Sequence, residues 1–257
     1  MFIPHRVNIT KKLKQDGDNV LEIDFDSARL RAIEIKNKYP DHKWVGFNGD
    51  MARLAVRKAQ YHWGWDWGPI LNTCGPWRPV RLETYQTRID DFRIDYKLDA
   101  SLKKATVTLL VKTDGGSADK IKISVLQGDQ GIYLDNWDVS PDESGYSKHE
   151  FEISENRLKL WFPHGYGAQP LYGFKAVLYG NGRELDIKTT KIGFRQIDLV
   201  QEKDKIGKSF YFRVNGIDVF CGGSDWIPAD NFTPRITEDR YRKWLQMMVD
   251  GYQVMIR

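Results

Sequence analysis

Between residues 88 and 194 the sequence is a succession of short segments in which apolar and polar residues alternate, and this pattern constrains the fold most. The clearest segments are 105–112, 120–126, 149–153, 173–179 and 185–194, with Asp-Gly-Gly, Gly-Asp and Gly-Asn-Gly turns among them. Alternation places every second side chain on the same face of a strand, so each segment can bury one face. Strands at intervals of about ten residues with such turns are typical of β-sandwiches. We therefore predict a mainly β protein with a β-sandwich in this region.

The composition is that of a soluble globular protein, with 41% hydrophobic and 29% charged residues among 257. The net charge is only +4, and the basic residues are interspersed with acidic ones, which argues against binding to nucleic acid or to a membrane. No apolar run reaches transmembrane length, and the first six residues do not resemble a signal peptide, so we predict a cytoplasmic protein. Cys74 and Cys221 lack metal-binding spacing, so we expect two free thiols, no metal site and no cofactor.

Three of the nine tryptophans lie within five residues, in the run His62-Trp63-Gly64-Trp65-Asp66-Trp67-Gly68-Pro69. In extended backbone, Trp63, Trp65 and Trp67 would share one face, with His62 and Asp66 on the other. The Gly and Pro residues indicate that the strand bends or ends here. Aromatic faces beside a carboxylate suit a sugar, which has apolar C–H faces and hydroxyl groups. A tryptophan-rich core strand also explains the run, and the run alone favours that interpretation because most aromatic side chains are buried.

The first 87 residues combine a helix with strand-like segments. Ser27, with Asp26, is a suitable cap for a helix over 28–38 that ends before Pro40. Apolar and polar residues alternate in strand-like segments, which we predict at 19–25, 54–56 and 77–85.

After residue 198 the pattern changes. Asn215-Gly216 predicts a hairpin turn, and a loop rich in Gly, Pro and Asp follows at 222–232. An amphipathic helix capped by Thr237 and closed by Gly251 then leads to a strand at 253–256, which is the opening of a parallel α/β arrangement. One such unit cannot cover its own apolar surfaces. We therefore expect the chain to be part of a larger protein.

Several motifs strongly resemble β-mannosidases of glycoside hydrolase family two. The resemblance rests first on residues 57–69, followed by Trp77-Arg78-Pro79-Val80. Three further motifs occur in the family's order, at 161–172, 191–195 and 215–232. The insertion near residues 27–50 is most similar to the fungal intracellular members of the family.

The resemblance implies three domains: an incomplete jelly-roll sugar-binding domain (1–87), an immunoglobulin-like β-sandwich (88–197) and the truncated start of a (β/α)8 barrel (198–257). Family members remove terminal β-linked mannose from the non-reducing ends of oligosaccharides with retention, which needs two carboxyl groups about 5 Å apart. In the family both groups are Glu residues on later barrel strands, and the first follows an Asn. The chain contains no Asn-Glu dipeptide. We therefore expect no catalytic residue within it, and an inactive fragment.

The resemblance also implies which residues face the mannose. Trp65 would form an apolar wall, Asp66 would accept hydrogen bonds from sugar hydroxyls, and Trp226 would line the mannose subsite. Barrel sites lie at the C-terminal ends of strands, which adds Asp230 and Arg257 as possible lining residues. For Asp230 we favour a role in capping its own loop.

Other residues are expected to act as supports. We predict that His62, Trp63 and Trp67 hold the loop that carries Trp65, and that Arg195 is a structural ion-pair partner.

Two alternatives remain. The first is a non-catalytic carbohydrate-binding β-sandwich protein, which would have no use for the helix after Thr237. The second is another family-two glycosidase, of the β-galactosidase or β-glucuronidase type, and the Trp-Asp-Trp-Gly run argues against it.

Overall fold

The computed structural model describes residues 4–46, 49–65 and 68–257. The protein is mainly β and divides into two compact units. The first unit consists of residues 1–81 and 226–242, and the second of residues 82–225 and 243–257. Within the described ranges, no helix is both long and apolar enough to cross a bilayer. Cytoplasmic localisation stays a prediction.

The first unit contains helix α1 (Ala28–Lys38), as predicted. The Ser27 side chain accepts a hydrogen bond from the Leu30 amide (3.3 Å), which satisfies one of the donors left open in the first turn. Glu34 pairs with Lys38 one turn later (2.7 Å), and Tyr39 ends the helix before Pro40. Each of these features depends on neighbours in the sequence, which is why the prediction is confirmed.

The three strands predicted among the first 87 residues are wrong. Residues 54–56 do not form a strand, because Met51–Ala55 is a 3₁₀ helix capped by Asp50. Segments 19–25 and 77–85 have no regular structure, and their apolar side chains are exposed, with Val20 at 89% and Leu82 at 67%. No described strand pairs with either segment. Alternation makes a segment competent to form a strand, but the strand also needs a hydrogen-bonded neighbour.

The described strands of the first unit form one short hairpin. Strands β1 (Trp63–Trp65) and β2 (Gly68–Ile70) are antiparallel, with Trp63 opposite Ile70 and Trp65 opposite Gly68.

The second unit is built around the predicted β-sandwich. Its seven strands are β3 (Arg88–Leu98), β4 (Ala105–Asp114), β5 (Lys120–Gln127), β6 (Gln130–Asp138), β7 (Tyr146–Ile153), β8 (Tyr172–Gly180) and β9 (Arg183–Ile192). They form a three-stranded sheet in the order β3-β4-β7 and a four-stranded sheet in the order β6-β5-β8-β9. Inward side chains of both sheets, such as Leu109 and Ile123, are fully buried in one core. The sandwich is confirmed, although its pattern did not reveal β3 and β6 individually.

A small antiparallel sheet follows the sandwich, made of β10 (Ile197–Val200), β11 (Tyr211–Val214) and β12 (Ile217–Val219). The turn between β11 and β12 is Asn215-Gly216, with φ values of 49° and 80°. These left-handed values at both positions match the tight hairpin turn predicted from the Asn-Gly pair.

The last elements are β13 (Gly223–Ser224), helix α2 (Glu238–Asp250) and β14 (Met255–Ile256), and the two strands are parallel. Thr237 Oγ1 accepts a hydrogen bond from the Arg240 amide (3.4 Å), which confirms the predicted cap. The helix ends at Asp250, immediately before Gly251 as predicted, and the left-handed position after it is taken by Tyr252 (φ 57°).

Arg195 does not form the ion pair that we predicted. Its guanidinium carbon lies 4.7 Å from the centre of the Trp161 ring, and the described residues provide no carboxylate partner. A guanidinium is attracted by the negative face of an indole ring, so a cation–π contact takes the place of an ion pair.

Candidate functional site

The tryptophan-rich run forms the β1–β2 hairpin, so it is not one extended strand. Because β1 and β2 are antiparallel, the chain reverses direction between Trp65 and Gly68. The prediction that Trp63, Trp65 and Trp67 share a strand face is not tested by this pairing. Asp66 and Trp67 lie outside the described residues, and the structure describes only the backbone of Trp65. Sugar contacts by Trp65 and Asp66, and support by Trp67, stay predictions.

The hairpin is tight at its base. Gly64 has a φ of 82°, and a Cβ atom at this position would lie 2.7 Å from Ile70 Cγ1. Glycine is therefore required both for the left-handed backbone and for the space. The Leu71 amide donates to the His62 carbonyl (3.0 Å), which extends the pairing one step beyond the two strands.

Trp63 anchors the hairpin in the interior of the first unit. It is 3% exposed and packs in a small cluster with Ala32 from α1 and Ala52 from the 3₁₀ helix. Partly buried Ile33 and Val56 border the same cluster. Its position suits a supporting residue, since a ring buried in this cluster has no surface for a ligand.

His62 is buried beside the hairpin, with 6% of its surface exposed. Its Nε2 atom lies 2.9 Å from the carbonyl oxygen of Asn231, so Nε2 carries the proton and donates it. Its Nδ1 atom is buried and has no hydrogen-bond partner among the described residues. Burial lowers the pKa of His62 below its ordinary value, and the nearby Lys58 ammonium lowers it further, although the bond to Asn231 opposes the shift.

Asn231 connects to the hairpin a second time. Its side-chain Nδ2 donates to the carbonyl of Pro69 in β2 (3.3 Å). A residue of the loop after β13 is thus bonded on both sides of the hairpin, to partners 169 and 162 positions earlier in the chain. Asn231 was not among the residues predicted from the sequence. Its one signal was a position in a loop rich in Pro and Asp, which does not identify a partner.

The other predicted residues of this loop have local contacts. The Trp226 ring lies 6.2 Å from the ring of Tyr241, in the first half of α2. Asp230 Oδ1 accepts from the Phe232 amide (2.8 Å), and Oδ2 lies 3.7 Å from Arg235 Nε. Both carboxylate oxygens of Asp230 therefore face its own loop, as expected of a capping residue. Whether Asp230 also lines a substrate site stays a prediction.

Arg257 belongs to the second unit. Its guanidinium forms an exposed ion pair with Asp225 (3.0 Å), next to β13. A possible substrate contact by Arg257 stays a prediction.

A cleft of about 300 Å³ opens in the first unit. His62, Asn231 and Phe232 form part of its wall, together with Tyr61 and Lys58. The Lys58 ammonium donates to the Thr73 carbonyl, and burial lowers the pKa of Lys58. Neither Trp226 nor Asp230 is among the described residues that line the cleft.

The two cysteines are free thiols. Cys74 is exposed, Cys221 is half-buried, and neither is in a disulfide. In the part of the chain that the structure describes, no three His, Cys, Asp or Glu side chains converge to hold an ion.

The sequence matches two protein-family models. Residues 1–78 match the model described as "Glycosyl hydrolase 2 galactose-binding domain-like", and residues 87–195 match "Glycosyl hydrolases family 2". Both models describe domains of glycosyl hydrolase family 2, and the second of them covers the strands of the β-sandwich. The chain belongs to glycosyl hydrolase family 2.

Among curated relatives, Beta-mannosidase B of Aspergillus clavatus is 48% identical over 257 residues, which is 100% of this chain and 30% of that protein. Among solved structures, a β-D-mannosidase from Dictyoglomus thermophilum is 30% identical, with a TM-score of 0.76 over 88% of this chain and 28% of that one. β-Glucuronidase 3 of Bacteroides uniformis is 19% identical, with a TM-score of 0.54 over 68% of this chain and 20% of that one. The chain spans about 30% of the length of the curated relatives it matches.

Proposed function

We propose that this sequence is part of a retaining, exo-acting β-mannosidase, which removes terminal β-D-mannose from the non-reducing ends of oligosaccharides. The observation that carries the proposal is the 48% identity to Beta-mannosidase B across all 257 residues, which include the hairpin and the Asn231 loop. The likeness to the β-D-mannosidase of Dictyoglomus thermophilum supports it, at 30% identity over 88% of the chain.

Other sugars have weaker support. The β-glucuronidase and putative β-galactosidase structures cover 67–68% of the chain at 14–20% identity, so they indicate a shared fold and no more. A non-catalytic carbohydrate-binding protein is disfavoured by the last three elements. The parallel pair β13 and β14, with α2 between them, is the arrangement from which α/β barrels are built.

We propose the corresponding division into domains. Residues 1–87 belong to a jelly-roll domain and residues 88–197 to an immunoglobulin-like sandwich. Residues 198–257 contain the first β/α unit of a (β/α)8 barrel. The three-plus-four arrangement of sandwich strands supports the second assignment.

The mannose-contacting residues in this proposal are Trp65, Asp66 and Trp226. The two indole rings would cover the apolar faces of the sugar, and the carboxylate would accept hydrogen bonds from its hydroxyls. Glycosidic cleavage with retention needs a nucleophilic carboxylate and a second carboxyl group that acts as acid and then as base. In the proposal both belong to the part of the relatives that this chain does not match, and the present residues bind and orient the substrate.

The test uses the complete polypeptide expressed from the gene that encodes this sequence. We expect it to hydrolyse 4-nitrophenyl β-D-mannoside in preference to the matching β-D-galactoside and β-D-glucuronide. Asp66→Asn should lower kcat/KM for the mannoside at least about tenfold, because a neutral amide is a weaker acceptor than a carboxylate. Asp129→Asn, at an exposed sandwich turn, is the matched control and should leave kcat/KM unchanged.

Preference for either of the other two glycosides would contradict the proposed substrate. An Asp66→Asn enzyme with wild-type kcat/KM would remove Asp66 from the site.

A further inference from the structure

Asn231 links the hairpin to the loop after β13. Its backbone carbonyl accepts from His62 Nε2, and its side-chain amide donates to Pro69. His62 immediately precedes β1, and Pro69 lies in β2. One residue therefore contacts both arms of the hairpin.

We propose that Asn231 and His62 form a clamp that positions the β1–β2 hairpin against the loop at 226–232, so that the two segments present their sugar-facing residues in a fixed arrangement. This inference rests on the proposed function. Asn231 and His62 are positioning residues in it, and neither touches the sugar.

Local contacts hold the loop side of the clamp. Asp230 accepts from the Phe232 amide, so the residues on both sides of Asn231 are joined to each other by a short hydrogen-bonded turn. Phe232 also stacks beneath the Arg235 guanidinium, at 5.6 Å. Because the residues on either side of Asn231 are held, its backbone carbonyl and its side-chain amide are oriented toward their partners in the hairpin, His62 and Pro69.

The hairpin side is equally restricted. His62 is held by its own carbonyl, which accepts from the Leu71 amide, and its ring packs edge-on against Tyr61 at 4.5 Å. Trp63, the next residue, is buried in the small core with α1. The His62 ring is therefore held in place by its neighbours when it donates to Asn231. Through this bond, the loop is positioned relative to the small core that contains Trp63.

Pre-organisation of this kind affects catalysis more than it affects stability. Binding groups that are misplaced by about 1 Å lose most of their benefit in the transition state, and rate losses of about a hundredfold follow. A residue that only stabilised the fold would change the melting temperature, and the protein that remained folded would keep its kcat/KM.

The test compares variants of the complete polypeptide in 4-nitrophenyl β-D-mannoside hydrolysis, well below their melting temperatures. Asn231→Asp keeps the shape of the side chain but cannot donate to Pro69, and His62→Phe keeps a ring but has no donor. Each should lower kcat/KM by about tenfold or more. The double variant should lose no more than about twofold beyond the worse single variant, because both substitutions open the same clamp.

Rescue and control variants complete the design. His62→Gln places an amide nitrogen where Nε2 stood, and should recover most of the kcat/KM that His62→Phe loses. Asn156→Asp makes the same chemical change at an exposed turn of the sandwich and should have no effect. Single variants with wild-type kcat/KM, or losses that add in the double variant, would overturn the clamp.

Failure of the clamp differs from failure of the proposed function. If the wild-type polypeptide does not hydrolyse β-mannosides, the proposed function fails, and the clamp is judged by amide hydrogen exchange. Opening the clamp should then make Leu71 exchange several-fold faster in Asn231→Asp than in wild type. An unchanged exchange rate would overturn the clamp without reference to activity.

Discussion

His62 shows how the sequence can single out a side chain without revealing its partner. Its sequence position, beside a tryptophan-rich turn, suggested a supporting role. The structure supplies the partner, the carbonyl of Asn231, which is 169 residues away. A contact over that separation cannot be predicted from local sequence patterns, because the residues around His62 and those around Asn231 do not indicate that the two segments meet.

The stability of the first unit should fall as the pH is lowered through His62 titration. Burial holds the folded-state pKa of His62 below the unfolded value of about 6.5. Between these two values the unfolded state binds more protons, so the free energy of unfolding decreases as the pH falls from 6.5 to the folded pKa. Below the folded pKa both states are protonated, and the loss stops increasing. A proton on Nδ1 would also be buried without an acceptor.

Urea unfolding at about pH 7.5 and about pH 5.5 measures this effect. The charged and titratable groups that share the cleft wall with His62 are Asp26, Arg57, Lys58, Tyr61 and Cys74. His62→Gln keeps the donor and removes the titration, so its midpoint for the first unit should change less between the two pH values. An equal change in wild type and variant would assign the pH dependence to other groups.

At the scale of elements, a prediction from the sequence succeeds when the contacts that stabilise the element lie within the element or next to it. Helix α1 is stabilised by its Ser27 cap and by a pair one turn apart, and both are visible in the sequence. Segments 19–25 and 77–85 have the alternation of strands, but no described strand pairs with them. A strand forms only when its backbone is hydrogen-bonded to a neighbouring strand. A local pattern therefore shows that a segment can form a strand, but it does not show whether a neighbour is present.

The β11–β12 hairpin combines both kinds of information. The Asn-Gly pair predicts the turn, but Asn215 is also 8% exposed and bonded to two other segments. Its Oδ1 accepts from the Gln196 amide and its Nδ2 donates to the Trp161 carbonyl, both at 2.9 Å. The turn residue therefore joins three segments of the second unit.

Asn215→Ala should lower the free energy of unfolding of the second unit by about 2–4 kcal/mol. It removes two buried hydrogen bonds and places alanine in a left-handed conformation. The matched control is Asn181→Ala, in the β8–β9 turn, where the residue is exposed and its φ is 51°. The control should lose only about 1–2 kcal/mol, from backbone strain. Urea unfolding followed by circular dichroism gives both values, and equal losses would show that the Asn215 side-chain bonds contribute nothing.

At the scale of the whole molecule, the two units differ in how much core they contain. The sandwich buries side chains from both of its sheets in a continuous core, among them Leu109, Ile123 and Phe174. In the described part of the first unit, the corresponding cluster contains three buried residues, Ala32, Ala52 and Trp63. Burial of apolar surface is the main stabilising contribution to folding, so the second unit should be the more stable.

Amide hydrogen exchange of the 257-residue chain should therefore be uneven. We expect the slowest exchange in β4, β5 and β8, because each is an inner strand that pairs with a neighbour on both sides. Exchange in segments 19–25 and 77–85 should be at least about a thousandfold faster, because their amides need no unfolding to reach water. Mass spectrometry of peptic fragments resolves these regions, and uniform protection along the chain would contradict the difference in stability.

The sequence by itself determined the mainly β character of the protein, the sandwich, helix α1, the Asn-Gly hairpin and the cap of α2. It also pointed to a family of glycoside hydrolases, through motifs at 57–69, 77–80, 161–172, 191–195 and 215–232. All of these depend on side-chain periodicity, caps or turn residues, which act over a few positions. Only the tertiary structure decided that the tryptophan-rich run contains an antiparallel hairpin, that no described strand pairs with segments 19–25 and 77–85, and that Asn231 bonds to both arms of the hairpin. Those outcomes depend on which distant segments come within hydrogen-bonding distance, and folding alone determines that.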